Sequence, residues 1–396
     1  MVHVDPTLLD KAQQGLDSFK DIPLFSYLSS PDGPKNVLKS LQLLITHFQQ
    51  FEDVFILGTG GSSLGGKTLY ELCDNPKVRL HFLDNIDPHT FDRLFKKFKP
   101  ETTGVVVISK SGKTAETLMQ LLVCLKFWQS HQLDVSNYFA VVTEPINNPL
   151  RHIAQKHHMM CLDHPMDIGG RYSVFTIVGL LPALLAGLDA EALIRGGRNV
   201  LENKEKRAQT CEGAAVAFEL IQRRVNQSVL LPYSDRLNTF ALWYRQLWAE
   251  SLGKDGLGTT PIASFGTVDQ HSQFQLYLDG PKDKFFTVLT MDHKDPEFLL
   301  SDLKDYGDDL HIYANKTMGH LMMAEQKAAI DTLINQECPM RQLHLATLNE
   351  EVLGGLFMYF ILETLAMSSL LEVDPFSQPA VEEGKILTRK YLLQGS

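Results

Sequence analysis

Apolar residues in the first half of the chain fall into short unbroken runs, each closed by a small or polar residue. Residues 54–57 (VFIL) run into a glycine cluster, 80–83 (LHFL) end at Asp84, 105–108 (VVVI) at Ser109 and 138–142 (YFAVV) at Thr143. Runs without polar alternation predict strands covered on both faces, the habit of parallel sheets packed between helices. Helix-length stretches such as 114–128 follow them, which gives a βαβ rhythm with helical crossovers. After an interlude of helix-like sequence a second series appears, with strands predicted at 228–231, 285–289 and 342–345 and helices at 237–252 and 321–335. The pattern divides the chain into an N-terminal helical segment (1–45), a first α/β domain (46–200), a second (201–348) and a C-terminal helical segment (349–396). No low-complexity linker separates the halves, so close packing between them is expected.

One stretch complicates the picture. Residues 353–371 (LGGLFMYFILETLAMSSLL) approach membrane-spanning length, but Glu363 would lie at mid-depth, where a carboxylate is costly in lipid. The expectation is a buried core helix and no membrane association. Composition agrees: 44% hydrophobic and 9% aromatic residues in 396 supply large cores and exclude disorder as the main state. A formal charge of −10, from 37 basic against 47 acidic residues, argues against nucleic acid as a partner. It leaves room for a local basic pocket that takes one small phosphorylated ligand. The first residues lack the basic-then-apolar pattern of a secretory signal. The five cysteines (Cys73, Cys124, Cys161, Cys211 and Cys338) are far apart with no CxxC. That fits buried thiols in a reducing cytoplasm better than disulfides or zinc.

Candidate chemistry sits where strands end. The first strand enters Gly58-Thr-Gly-Gly61-Ser62-Ser63-Leu-Gly-Gly66-Lys67-Thr68. Three ligand readings stand open. A dinucleotide fingerprint fails at Ser63, although Asp84 occupies the place of an acidic ribose ligand. A P-loop pattern is met from Gly61 to Thr68, though the turn is longer than such a loop needs. A glycine turn whose amides and Ser62 hydroxyl hold one phosphate or a sugar is the third, beside a tight turn with no ligand. The next loop, Ser109-Lys110-Ser111-Gly112-Lys113-Thr114-Ala-Glu-Thr117, puts hydroxyls and two lysines just before a helix, where free amides and a partial positive charge favour phosphate. Gly169-Gly-Arg171 can bring a fixed cation to an anion. Glu250 closes a helical stretch just before Gly253, a candidate left-handed stop, and Lys254, a dipole partner. His271 lies in a polar loop, one of 14 histidines. No His, Cys or carboxylate spacing matches a metal-site motif, and no GxSxG supports a hydrolase triad.

These segments, taken in order, resemble the glucose-6-phosphate isomerase (phosphoglucose isomerase) family. The GxGGSxLG loop, SKxxxTxET, GGRxS, ES-x-GK, the QHS loop and the tail PF-x-Q-P-x-V-E-x-GK span roughly residues 55 to 390. SKSGKTAET alone would indicate only a sugar isomerase (SIS) domain, and the last three motifs narrow it. The resemblance implies two SIS-type α/β/α sandwich domains with parallel sheets plus C-terminal helices. It also implies a homodimer and isomerisation of a sugar phosphate with no cofactor and no metal. Position by position, it implies a phosphate seat at Ser109, Lys110, Ser111 and Thr114, closed by Gly61 and Ser62. Glu250 takes the place of the base, Arg171 that of the enediolate-stabilising cation, and Gln246 and Gln378 contact substrate. His271, donated across the dimer interface, assists ring opening with Lys385 as helper. The chain departs from the family pattern at Ser111-Gly112-Lys113, where Thr-Phe-Thr is usual, at Ser377 for Asp, at Ala380 for Gly, and at Val268-Asp269, where Asn-Gly or Asp-Gly is usual. A dual phosphoglucose/phosphomannose isomerase and a non-catalytic SIS sugar-phosphate sensor are the alternatives, and a P-loop ATPase a more distant one.

Overall fold

The computed structural model describes residues 5–293, 299–301, 303 and 306–394. Two parallel sheets organise it. The first has β1 (Asp53–Leu57), β2 (Arg79–Leu83), β3 (Thr103–Ile108), β4 (Phe139–Thr143) and β5 (Met160–Asp163) in the order β2-β1-β3-β4-β5. The second has β6 (Gln227–Pro232), β7 (Thr260–Ala263), β8 (Lys284–Met291) and β9 (Met340–Leu345) in the order β7-β6-β8-β9. Each order reverses beside its first strand, at β1/β3 and at β6/β8, and open α/β sheets bind ligands outside the strand ends at such points.

The strand runs behave as their sequence requires. β1, β3, β4 and β8 are buried at every residue, and their side chains alternate between two cores. Val54, Ile56, Val106 and Ile108 face the large central cluster, while Phe55, Leu57, Val105 and Val107 face an outer one. The outer cluster lies under helices Pro88–Lys97, Ala115–Ser130 and Pro149–Lys156; a third, smaller one covers the far side of the second sheet. Coverage on both faces is expected of the four apolar runs of the first half, but β2 is a sheet edge with Arg79 exposed; β9, the edge of the second sheet, is exposed in part as well.

Several helices start on an Asp-Pro or Asn-Pro step: Asp87 accepts from His89 N–H (2.8 Å) and Asn148 from Arg151 N–H (2.9 Å). The side chain satisfies an orphan amide and the proline supplies a preset φ. The central layer between the sheets contains helices Ile177–Ala186, Ala190–Glu202, Lys204–Gln222, Asn238–Leu252 and Glu350–Leu370, with the N-terminal helices packed against it. Glu350–Leu370 is long and apolar enough to cross a membrane, yet 78% of its apolar window lies inside the protein. Glu363 in its middle is fully buried and accepts from Arg341 of β9 at 2.7 and 2.9 Å. The bidentate pair satisfies the buried carboxylate and ties helix to sheet.

Candidate active site

The carboxyl edge of the first sheet opens onto a cavity of about 320 Å³, lined by residues from both halves of the chain. One wall comes from the loops after β1, β3 and β4. The turn after β3 reverses at Gly112, whose φ is +62° and where a Cβ would lie 2.0 Å from Asn148 Oδ1. Glycine is therefore required against the cap of the neighbouring helix, which gives a local cause for the unusual Ser111-Gly112-Lys113. Ser109 Oγ donates to Thr114 Oγ1 (3.1 Å), and Thr114, the N-cap of Ala115–Ser130, caps no amide with its side chain. The first-turn amides thus keep their hydrogen-bonding capacity for an anion. Lys110, Ser111 and Thr114 line the cavity with Gly61 and Ser62. Ser109 is buried behind them, and the side chain of Lys113 is exposed.

The opposite wall holds a carboxylate clamped at both ends. Glu250, near the end of helix Asn238–Leu252, accepts from Gln246 Nε2 on Oε1 (2.9 Å) and from Arg171 Nη1 on Oε2 (3.2 Å). Arg171 stands on the turn Gly170–Phe175 with its side chain 3% exposed, against 33% for Glu250. Its Nε donates to Ser251 Oγ (2.9 Å) and its Nη2 to the carbonyls of Pro375 (2.5 Å) and Ser377 (3.1 Å). Nη1 also donates to Gln378 Oε1. Every guanidinium N–H therefore has an acceptor, as a buried cation needs. Nη1, whose partners Glu250 and Gln378 both line the cavity, is the nitrogen a ligand oxygen can approach.

Neighbouring groups hold this wall rigid. Tyr172 OH shares Ser251 Oγ (2.8 Å) and reaches Pro375 O (3.2 Å), and burial pushes the phenol up. Lys254 donates to the carbonyls of Glu250 (2.8 Å) and Ser251 (2.6 Å), capping the helix; burial, then the charge of Arg171, push the ammonium down. Gly253 has φ −76°, so the stop is made by Lys254 and not by the left-handed glycine expected. The tail brings Gln378 to the cavity and Lys385 to its rim, the latter from the exposed helix Glu382–Gln394, where it pairs with Glu382 (2.6 Å).

His271 is the candidate that its own chain does not bring to the cavity. It is exposed on the turn Val268–His271. That turn is rigid, because buried Asp269 accepts from Ser264 Oγ, Phe265 N–H, Ser272 Oγ and Gln273 Nε2. Burial raises that carboxyl, but these bonds outweigh it and leave the group below its usual range.

The open question over the first glycine loop is decided by its helix. Gly65, Gly66, Lys67 and Thr68 lie inside helix Leu64–Tyr70, not in a phosphate-wrapping loop. Lys67 turns to Asp84 (3.7 Å) and Thr68 is buried on Leu64 O (2.8 Å). Neither the P-loop lysine nor the ribose aspartate is in place, and Gly61 and Ser62, on the turn before the helix, are what face the cavity. Thr117, the last hydroxyl of the loop after β3, also lines it, as do Thr59, Glu144 and Gly170, while Ser251 and Tyr172 support it from behind; apart from Thr117, none of these has a role in the sequence analysis. Glu144 had a usable signal, since it directly follows a buried strand at the edge where ligands bind. Ser251 stood in the ES-x-GK motif without a role of its own, and Tyr172, the unspecified position of GGRxS, had none.

Two parallel sheets separated by a helical layer, with a hydroxyl-rich helix N-terminus at the carboxyl edge of the first and a carboxylate brought to it by the helix that follows β6, make a fold of SIS type. The phosphoglucose isomerase family model matches residues 38–394, and the chain belongs to that family. The glucose-6-phosphate isomerase of Rubrobacter xylanophilus is 36% identical over 354 residues, covering 85% of this chain and 81% of the relative. A glucose-6-phosphate isomerase of Thermus thermophilus is 34% identical over 348 residues, covering 86% and 84%. Among solved structures, a hypothetical protein from Thermus thermophilus matches with TM-score 0.88 at 31% identity, covering 98% of this chain and 95% of the other. The glucose-6-phosphate isomerase of Chlamydia trachomatis shares the fold at TM-score 0.79 and 20% identity, over 96% of this chain and 77% of its own.

Proposed function

We infer that the chain interconverts glucose 6-phosphate and fructose 6-phosphate, with Glu250 moving the proton. The observation that carries this is a carboxylate fixed on both oxygens, by Gln246 and Arg171, across one cavity from the helix N-terminus at Thr114. A 6-phosphate at Ser111, Thr114 and the first-turn amides would direct the other end of the sugar toward Glu250. Its binding energy is then used to orient remote carbons.

In the open-chain aldose, Glu250 takes the proton from C2 and the electron pair forms a cis-enediolate. The same carboxyl returns the proton to C1 while the O2 hydroxyl proton passes to O1, which yields the ketose. Arg171 Nη1 faces the developing oxyanion, an interaction that strengthens as charge appears. This scheme needs no metal or cofactor.

Ring opening calls for a group able to take and give a proton near neutral pH, and His271 suits it. As it stands outside the cavity of its own chain, we assign it to the cavity of a second copy, with Lys385 as helper. Two features support such a homodimer. No residue of helix Glu382–Gln394 is buried, and Met119 (51% exposed) and Leu122 (50%) present an apolar face beside the phosphate loop. Unpaired, widely spaced cysteines support a cytoplasmic home.

The test is a coupled assay of purified protein on fructose 6-phosphate with EDTA present, beside Glu250→Gln. Turnover that falls by several orders of magnitude in the variant is expected. No turnover by the unaltered chain would refute the activity, and a variant of comparable rate would refute Glu250 as base.

A further inference from the structure

Glu144 puts a negative charge into the phosphate half of the cavity, where it opposes an incoming anion. Its carboxylate lies 3.7 Å from Lys110 Nζ, with the two side chains 13% and 30% exposed, and both residues line the cavity beside Ser111 and Thr114. The contact is looser than a charge-assisted hydrogen bond of about 2.8 Å. The carboxylate is also not needed to hold the loops together. Glu144 N–H donates to Lys110 O (3.0 Å), and its carbonyl accepts from Arg151 Nε (3.0 Å) and Asn148 Nδ2 (3.4 Å). Thr143 Oγ1 adds a further bond to Lys110 O (3.2 Å). The backbone carries the architecture and leaves the side-chain charge for another task.

We propose that Glu144 is an internal competitor for Lys110, a positioning residue that limits how tightly the cavity holds a phosphate group. Before phosphate arrives at Ser111 and Thr114, the Lys110 ammonium is shared with Glu144; when it arrives, the lysine must be surrendered. This rests on the reading of that wall as the phosphate seat. Phosphate is bound alike in substrate, transition state and product, so gripping it harder lowers KM without raising kcat and slows product departure. A built-in rival for the lysine keeps that uniform binding in check.

The experiment measures competitive inhibition by inorganic phosphate and KM for fructose 6-phosphate in the unaltered chain, Glu144→Gln, Lys110→Met and the double variant. Glu144→Gln is expected to tighten phosphate inhibition and lower KM, each about fivefold, the scale of a partly exposed ion pair. Lys110→Met is expected to weaken both, and adding Glu144→Gln to it to restore nothing. A misfolded variant cannot mimic a gain in affinity. Unchanged or weaker phosphate binding in Glu144→Gln would overturn the proposal. So would a gain of equal size in the Lys110→Met background, because the carboxylate would then act on the anion directly and not through the lysine. If the unaltered chain turns over substrate but phosphate does not compete, the assignment of the seat itself falls, and the proposal with it.

Discussion

Gly61→Ala isolates the contact that sets the spacing between the two walls. A Cβ at Gly61 would lie 2.2 Å from the carbonyl carbon of Gly170, 2.4 Å from its oxygen and 2.7 Å from the Arg171 nitrogen. All three are backbone atoms, so no side chain can swing aside, and one loop must retreat by about 1 Å to reach van der Waals separation. Arg171 cannot follow freely. Its guanidinium is tied to Ser251 and to the carbonyls of Pro375 and Ser377, so displacing its backbone pulls against those bonds and shifts Nη1 relative to Glu250. Overpacking of this kind costs about 2 kcal/mol of stability, and a displacement of about 1 Å at a reacting group costs about a hundredfold in rate. The loop of Ser109 to Thr114 is not part of the collision, although Gly61 faces the cavity beside it, so KM should rise as well but by less than kcat falls. Steady-state kinetics in both directions, with urea unfolding of the same preparations, reads all three quantities. A kcat within about twofold of the unaltered protein, alongside a stability loss of that size, would show that the strain is absorbed elsewhere and that this contact does not set the reactive geometry.

Two further perturbations address buried polar groups next to the cavity. His164 is buried, its Nδ1 lies 2.8 Å from Pro165 O, its Nε2 has no partner, and burial, with Lys110 adding to it, lowers the imidazole to about 4 from 6.5. Between those values the unfolded chain takes up a proton that the folded chain refuses, so stability is full above pH 6.5 and falls toward pH 4; by pH 5 the loss is about 2 kcal/mol. Urea unfolding at pH 7.5 and 5 should show this drop in the native protein and not in His164→Asn, and equal drops in both would disprove the linkage. Thr117 lines the cavity with its hydroxyl buried and unpartnered. Thr117→Val should therefore leave the melting temperature unchanged or higher while raising KM about tenfold through a lost hydrogen bond to substrate, whereas a lower melting temperature with unchanged KM would assign the hydroxyl an internal role.

Legibility in the sequence followed burial. β1, β3, β4, β6 and β8 announce themselves as apolar runs because helices cover both faces, and helix Glu350–Leu370 reads as core because Glu363 has no place in lipid. β5 and β7 escaped because they are short edges with little continuous apolar character (MCLD and TPIA), and Pro261 is tolerated in β7 only because an edge need not donate on both sides. At the site, the hydroxyl loop before helix Ala115–Ser130 carried its own physical reason. Arg171 and Glu250 did not; an arginine in a glycine turn and a glutamate near a helix end are common on surfaces, and only the ordered set of motifs singles them out. Spacing misled at Gly61–Thr68, where the P-loop match runs through helix Leu64–Tyr70. A residue pattern records neighbours along the chain, and what separates a phosphate loop from a helix turn is which amides remain unpaired.

The site makes opposite use of two helix ends. The phosphate seat proposed at the N-terminus of Ala115–Ser130 meets the positive end of a macrodipole, whereas Glu250 sits near the C-terminus of Asn238–Leu252, at the negative end. An anion is welcome at the first and crowded at the second. The second half of the chain compensates with Lys254 on the terminal carbonyls, while Arg171 from the first half pairs with the carboxylate itself. Glu71 then fixes the far end of the same helix: its carboxylate accepts from Thr239 N–H (3.1 Å) and Thr239 Oγ1, although burial raises it above the usual range. The helix that carries the proposed base belongs to the second half of the chain by topology, yet residues of the first hold it at both ends. Sliding one half against the other would break the Glu71 and Arg171 contacts together. These contacts hold Glu250, contributed by the second half, in register with the proposed phosphate seat, whose residues all come from the first.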